Sequence, residues 1–519
     1  MKRKAAGPRE APAPPRPYRT WACAREGEKM NKGRKNSLLA KCAYGAADIY
    51  GGGAFVVIGT FFTVFLTKAL GMPPALAGTI PLIGKIWDAV TDPVMGNITD
   101  RTQSRFGSKR FYILIGSIIS AITFILMWVP LPQADMSLKY IFYVLMYMLF
   151  STGFTIVMVP YNALLPDMVD DYSARSRFTS VRMAFSACGN IIAALLSTLI
   201  ITDNTDYSRY LIVAFIFGAI FCIAILLTFF GTWEKQKPVM KISLKESFVQ
   251  SFTAYKSRSF RLFIAIFIFG QAATDFVTGL AVYYVDEVLN AYGGGRFTYL
   301  MGVILISQFI GMLLFNPIMA KTNKKMPILI GFPVRILATL AMLLFSHEGA
   351  NFTVILGLTF IIGLGMAGSS TTIYAILADM ADVDELITSI NRPGTCSGMA
   401  TFIRKICAGL STFLIGVMLS MVGYDETVAS AGARQAAATQ TGIAYIYIFA
   451  PIVLCLITLF FTARFPMRKE EFDVIRREIA RRKGEDDSEI TPEEIAVCEK
   501  VTGFPYDRLW NRENALKLR

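Results

Sequence analysis

The chain has 519 residues, 54% hydrophobic, 13% aromatic and only 17% charged, with 52 Lys plus Arg against 38 Asp plus Glu and a formal charge of +14. Soluble proteins carry roughly a quarter charged residues, whereas apolar runs of about 20 residues, long enough to cross a bilayer, recur here about twelve times. A soluble globular protein is therefore excluded. His347, the single histidine, also excludes His-ligated metal centres, His-based triads and His acid–base pairs.

In chain order, residues 1–40 are expected to be a disordered basic segment. Their first part is proline-rich with no apolar stretch, so it is not a cleaved signal peptide, and Met30 offers an alternative start. Spans are predicted at 52–69, 76–99, 111–131, 138–160, 179–201 and 210–232, giving a six-helix bundle over 41–232. A basic connector occupies 233–261. A second bundle over 262–463 holds spans at 262–285, 297–320, 328–346, 352–378, 396–421 and 441–463. The tail, 464–519, reads as soluble helix. Within it Thr491-Pro492-Glu493-Glu494 combines an N-cap Thr, a first-turn Pro and the Glu of a capping box.

Basic residues orient the chain. Loops on one side carry only Lys68, Lys139, Arg209, Arg296 and Arg434, while most of the 52 lie on the terminal and alternate loops. By the positive-inside rule both termini are cytoplasmic. The basicity therefore points to a lipid bilayer and not to nucleic acid. The eight cysteines show no paired spacing, and Cys188, Cys222, Cys407 and Cys455 fall inside apolar runs, so neither a disulfide framework nor a zinc site is expected.

The two halves repeat weakly but in order. Pro93-Val94-Met95-Gly96 and Ile113-Leu114-Ile115-Gly116 are echoed by Pro317-Ile318-Met319-Ala320 and Ile328-Leu329-Ile330-Gly331. Ala163-Leu164-Leu165-Pro166-Asp167-Met168-Val169-Asp170 is echoed by Ala375-Ile376-Leu377-Ala378-Asp379-Met380-Ala381-Asp382. A parallel duplication of six spans predicts an all-α membrane protein with two bundles around a site near the midplane, the major-facilitator layout.

Ionisable residues inside spans cost about 2.5–3.5 kcal/mol each on insertion scales, so they mark function. Asp88 and Asp92 lie four apart in span two, on one helix face, with Lys85 one turn before. Two such carboxylates suit Na⁺, Li⁺ or a shared proton; alternatively they pair with Lys85 and other buried bases. Asp48 opens span one before Gly51-Gly52-Gly53. Arg182 and Lys405 are expected to face inward, while Arg404 is read as snorkelling. Asn162, Thr155 and Tyr161 offer uncharged hydrogen bonding for a polyol, and Trp87 and Tyr374 could stack on a sugar ring. Asp100, Arg101 and Arg110 in the first cytoplasmic loop read as a gating latch. Asp379 and Asp382 are expected to form salt bridges across the bundle interface.

The element Asp88-Ala89-Val90-Thr91-Asp92-Pro93, followed by Arg101-Thr102, Ser104-Arg105 and Gly107, resembles the glycoside–pentoside–hexuronide:cation symporters. Tyr44-Gly45, the Ala378–Asp382 run and Lys405 match in order. The resemblance spans about residues 44–465. It implies sugar uptake driven by Na⁺, Li⁺ or H⁺, with no cofactor. It also implies Asp88 and Asp92 as cation carboxylates, Thr155 as a hydroxyl ligand and Thr91 beside the ion. Lys405 then lies near both sites, and Arg182 near the sugar. Gly52 and Met158 stand where melibiose permease-like members carry sugar-binding aspartates, so galactoside specificity is not expected. Asp48, Arg182, Asn162, Lys405 and Tyr161 are the candidate substrate residues. The expected protein is a monomeric plasma-membrane carrier of a glycoside or hexuronide, and the alternative cargo is a lysolipid or other organic solute.

Overall fold

The computed structural model describes residues 37–102, 104–169, 172–234, 252–291, 295–390 and 393–515. Long helices follow one another with short links. In the first half they are α1 Leu38–Val57, α2 Pro74–Arg101, α3 Ser108–Leu126, α4 Met136–Met168, α5 Tyr172–Ile200 and α6 Tyr207–Gly231. The second half contributes α7 Arg258–Tyr283, α8 Arg296–Lys321, α9 Met326–Met342, α10 Phe352–Thr388, α11 Pro393–Met421 and α12 Ala437–Arg464. Among the described residues, eleven helices are long and apolar enough to cross a membrane. The twelfth span is α2, 28 residues long, whose apolarity is diluted by Lys85, Asp88 and Asp92.

Several helices run past the predicted spans on the side bearing the termini: α1 starts at Leu38, α4 reaches Met168 and α10 reaches Thr388. Hydropathy detects only the lipid-crossing part. The extensions are held by polar bonds that it cannot see. Ser37 caps α1 by accepting from the Ala40 amide at 3.2 Å. Tyr161 on α4 donates to the Tyr44 carbonyl at 2.9 Å. Thr228 on α6 donates to the Ala43 carbonyl at 2.7 Å, which brings the start of α1 to the end of α6.

The duplication is visible in backbone detail. Where α1 and α7 approach the side away from the termini, each passes into a five-residue π-helical turn, Phe65–Ala69 and Tyr284–Val288. Both turns close alike, with Leu70 N on the Phe65 carbonyl and Leu289 N on the Tyr284 carbonyl, each at 3.2 Å. A second such turn, Ile58–Phe62, directly follows α1. Single π turns are rare and mark places where a helix is re-aimed.

Polar bonds between the bundles gather on this far side. Lys68 pairs with Asp286 at 2.6 Å and Glu287 at 2.5 Å. Asn204 donates to Asp286 at 3.0 Å, and Thr67 meets Tyr283 at 2.9 Å. Below them α2 and α11 pack backbone to backbone through glycine. A Cβ on Gly78 would lie 2.9 Å from Phe413 Cα, and one on Gly416 would lie 2.2 Å from the Pro74 carbonyl oxygen. That contact aims the middle of α2 and α11 at each other.

On the termini side, the tail forms α13 Lys469–Lys483 and α14 Pro492–Thr502. Thr491 and Glu494 form the capping box of α14. The tail packs on the second bundle: Lys483 pairs with Glu385, Ser259 donates to the Val501 carbonyl, and the Trp510 amide donates to the Leu386 carbonyl. Residues 1–36 and 235–251, and with them most of the expected basic segment and connector, lie outside the described residues.

Candidate functional site

The i,i+4 spacing on α2 does what helix geometry requires: Asp88 and Asp92 share a face turned toward the bundle interface. Pro93, next in sequence, has no amide hydrogen and leaves the Ala89 carbonyl without its helical donor. The Thr155 hydroxyl on α4 lies 2.8 Å from an oxygen of each carboxylate. Those are the Oδ1 atoms, and one hydroxyl proton serves only one of them, so the pair of carboxylates still needs a positive partner. Lys405 of α11 supplies it, with Nζ 2.8 Å from Asp88 Oδ2 and in contact with Asp92 Oδ2. Asp88 is 1% exposed. The arrangement is a charge triad with one hydroxyl, shared between the two bundles, and a monovalent cation needs the same oxygens that Lys405 holds.

Thr91 stands apart from this set, its hydroxyl donating back to the Asp88 carbonyl at 3.2 Å. It is part of the helix and not of the oxygen cluster. Lys405, expected among substrate residues, belongs to the carboxylate pair. Sequence spacing shows that a lysine lies in α11 but cannot say which of several buried acids it meets.

The remaining candidates form a second cluster near the start of α1. Arg182 Nη2 lies 3.1 Å from Asp48 Oδ1, and its guanidinium stacks on the Tyr161 ring at 4.8 Å. Asn162 is exposed and belongs to neither cluster. Gly52 is crowded: a Cβ there would lie 2.3 Å from Asn190 Oδ1 and 2.9 Å from Ser186 Oγ. Met158 packs over Gly51. The space that an aspartate on α1 would need is taken by Asn190.

A cavity of about 280 Å³ lies between the bundles. Phe55 of α1, Gly59 and Thr63 of the segment that follows it, Lys85 of α2, Tyr147 of α4, Asp275 of α7, and Arg404 and Lys405 of α11 line it. Asp48, Arg182, Tyr161 and Asn162 are not among its lining residues. Trp87 is turned away as well, donating to Thr152 at 2.9 Å. Arg404 does not snorkel: it grips Asp275 with two nitrogens at 2.7 and 2.6 Å. The members of this pair lie on helices far apart in the chain, and the one signal the sequence carries is a lone aspartate in an apolar span.

The loop residues form contacts inside each bundle. Arg110 donates to the Phe229 carbonyl at 2.8 Å, and Glu234 accepts from Ser108 Oγ at 2.7 Å and the Lys109 amide at 2.9 Å. The Asp100 and Arg101 side chains lie outside what the structure describes. Asp379 pairs with Lys324 at 2.5 Å, and Asp382 lies within electrostatic reach of Arg476 and Lys324. The expected bridge from these acids across the interface is thus not the arrangement found. The tail and the α8–α9 loop supply nearer bases.

Residues 43–469 match the family described as MFS/sugar transport protein. The chain is 26% identical over 435 residues to the uncharacterized symporter YjmB of Bacillus subtilis, covering 82% of this chain and 92% of that protein. It is 27% identical over 464 residues to a proposed sulfoquinovose importer of Salmonella typhimurium, covering 86% and 94%. Among solved structures, a single-residue mutant of the nucleoside transporter NupG superposes with a TM-score of 0.59 at 13% identity, over 81% of this chain and 99% of that one. A bacterial homolog of the lysosomal transporter Spinster, inward-facing and unoccupied, gives 0.60 at 14% identity, over 85% and 96%. The duplicated twelve-span architecture, the charged cavity between the bundles and these similarities converge: the chain is a membrane transporter, not an enzyme, and belongs to the MFS/sugar transport family of the major facilitator superfamily.

Proposed function

We propose that the protein is a cation-coupled symporter that moves a sugar-type solute, a glycoside or hexuronide, by alternating access, with both termini cytoplasmic in the plasma membrane. The observation that carries this reading is the Asp88–Asp92–Thr155 oxygen cluster closed by Lys405 from the opposite bundle. Two buried carboxylates repel each other unless a positive charge sits between them. Lys405 fills that need when no ion is bound. A Na⁺, Li⁺ or proton taking the same oxygens releases Lys405 toward the cavity and loosens a bond between the bundles, so ion binding acts on the element that must move.

The ion pairs at Lys68 hold the outer side shut. Relatives described as symporters and as sulfoquinovose importers support a sugar-type cargo. The charged lining favours a polar solute over a lysolipid.

One charge moving inward across 100 mV releases about 2.3 kcal/mol, enough for roughly fifty-fold accumulation. Uptake into proteoliposomes is therefore expected to require a Na⁺ or H⁺ gradient. Asp92→Asn is expected to remove that requirement together with accumulation. Gradient-driven accumulation by the variant at the wild-type level would refute the reading.

A further inference from the structure

Asp275, the one carboxylate among the lining residues of this cavity, and the neighbouring Asp88 and Asp92 are already engaged. Asp88 and Asp92 face Lys405, and Asp275 is held by Arg404. Lys85 is the base left over. It is 7% exposed and lines the cavity, one helical turn before Asp88. Among the described residues it makes no ion pair and no hydrogen bond. Its Nζ rests over the Phe55 ring, 3.4 Å from the centroid. A ring face is a weaker partner for an ammonium than a carboxylate, and a buried charge is costly unless it is paired.

The stem of Lys85 is fixed by packing. A Cβ on Gly409 of α11 would come within 3.1 Å of Lys85 Cβ, so α11 presses on the base of this side chain and directs it along the cavity wall. Lys85, Arg404 and Lys405 together balance Asp88, Asp92 and Asp275. Adding a monovalent cation to the Asp88–Asp92 oxygens leaves one positive charge in excess. A singly charged anion in the cavity restores neutrality; Lys85, which holds no carboxylate even before the ion binds, is the base poised to receive it, next to the Lys405 that the ion displaces.

We infer that Lys85 is the anchor for a negatively charged group on the transported solute, so that the cargo is a sugar bearing one negative charge and not a neutral glycoside. This rests on the cation-coupled sugar reading above and adds the charge of the cargo and the residue that selects it. Because ion and anion each compensate the other's charge, each strengthens binding of the other.

The test is binding to the purified full-length chain, followed by thermal shift and calorimetry. D-glucuronate and D-galacturonate are compared with methyl glucoside and methyl galactoside, in Na⁺ buffer and in choline buffer. The expected result is tighter binding of at least one uronate than of its neutral counterpart, strengthened by Na⁺ or, for a proton-coupled carrier, by lower pH. Lys85→Met is expected to weaken uronate binding by about tenfold or more, the loss of one charge-assisted hydrogen bond, and Lys85→Arg to retain most of it. An unchanged cation-induced shift shows that the Met variant is folded; if it does not fold, the comparison of Lys85→Arg with the wild type across the four sugars carries the test. Equal binding of neutral and anionic sugars, with Lys85→Met indistinguishable from wild type, overturns the inference and leaves the symporter reading standing. Failure of every sugar to bind, charged or neutral, overturns both.

Discussion

Lys68 and Glu287 occupy equivalent positions in the two halves, each the fourth residue of a π-helical turn, and they are bonded to each other, Nζ to Oε1 at 2.5 Å. The pair closes the far side on the pseudo-symmetry relation itself. Lys68 is 3% exposed and Glu287 4% exposed. Removing one partner of such a buried pair costs about 3–5 kcal/mol, because the other charge stays uncompensated.

Lys68→Met is therefore expected to destabilise the closed far side by that amount and to shift the protein toward the state open there. Lys68→Met combined with Glu287→Gln is expected to cost less than the two single changes added together. A double-mutant cycle on thermal unfolding in detergent checks this. Strict additivity would show that the pair is not an energetic unit.

Lys405 holds one oxygen each of Asp88 and Asp92, which the proposed coupling cation would have to take from it. Lys405→Met is expected to lower stability without added ions, since two buried carboxylates then face each other. It is also expected to enlarge the stabilisation produced by Na⁺ or Li⁺, or by acidification. Titrating melting temperature against cation for wild type and variant reads both effects. A smaller cation response in the variant would mean that Lys405 assists the ion and does not exclude it.

Much of this was legible beforehand. Twelve spans follow from runs of about 20 apolar residues, and the Asp88–Asp92 face follows from helical periodicity alone. What stayed hidden is pairing across the chain. The Asp275–Arg404 grip and the Lys68–Glu287 lock join residues on different helices, and only the packing of the bundles brings them together. Thr91 shows the other limit. Its position beside the acids was plain, but its hydroxyl bonds to its own helix, as threonine often does where a carbonyl is closer than any other acceptor.

The far-side contact of α2 and α11 depends on glycine. Gly416→Ala places a Cβ 2.2 Å from the Pro74 carbonyl oxygen, and such overpacking costs about 1–3 kcal/mol. The change is expected to slow transport by hindering closure there. Gly357 on α10 is the control, because a Cβ there meets nothing within 4 Å. Gly357→Ala is expected to gain about 0.5–1 kcal/mol from helix propensity with transport intact. Uptake rates and melting temperatures of the two variants decide the matter, and similar behaviour would remove the packing explanation.

Cys498 on α14 is fully buried against the second bundle, and burial, with Glu478 and Glu494 nearby, pushes its thiol up to about 12. An unfolded tail releases this proton near the ordinary thiol value of about 8.5, while the docked tail keeps it. Between those two values the docked form binds more protons than the undocked one, so docking is fully stable below the ordinary value and weakens as pH rises toward 12. Maleimide labelling of Cys498 in the intact carrier, followed by mass spectrometry of the tail peptide, is expected to be slow at pH 7 and to accelerate above pH 9 more steeply than thiolate formation in a model thiol. Lys483→Ala removes the ion pair to Glu385 and is expected to raise the labelling rate at every pH by loosening the tail. Labelling of the wild type as fast as a free thiol at pH 7 would show that the tail is not docked.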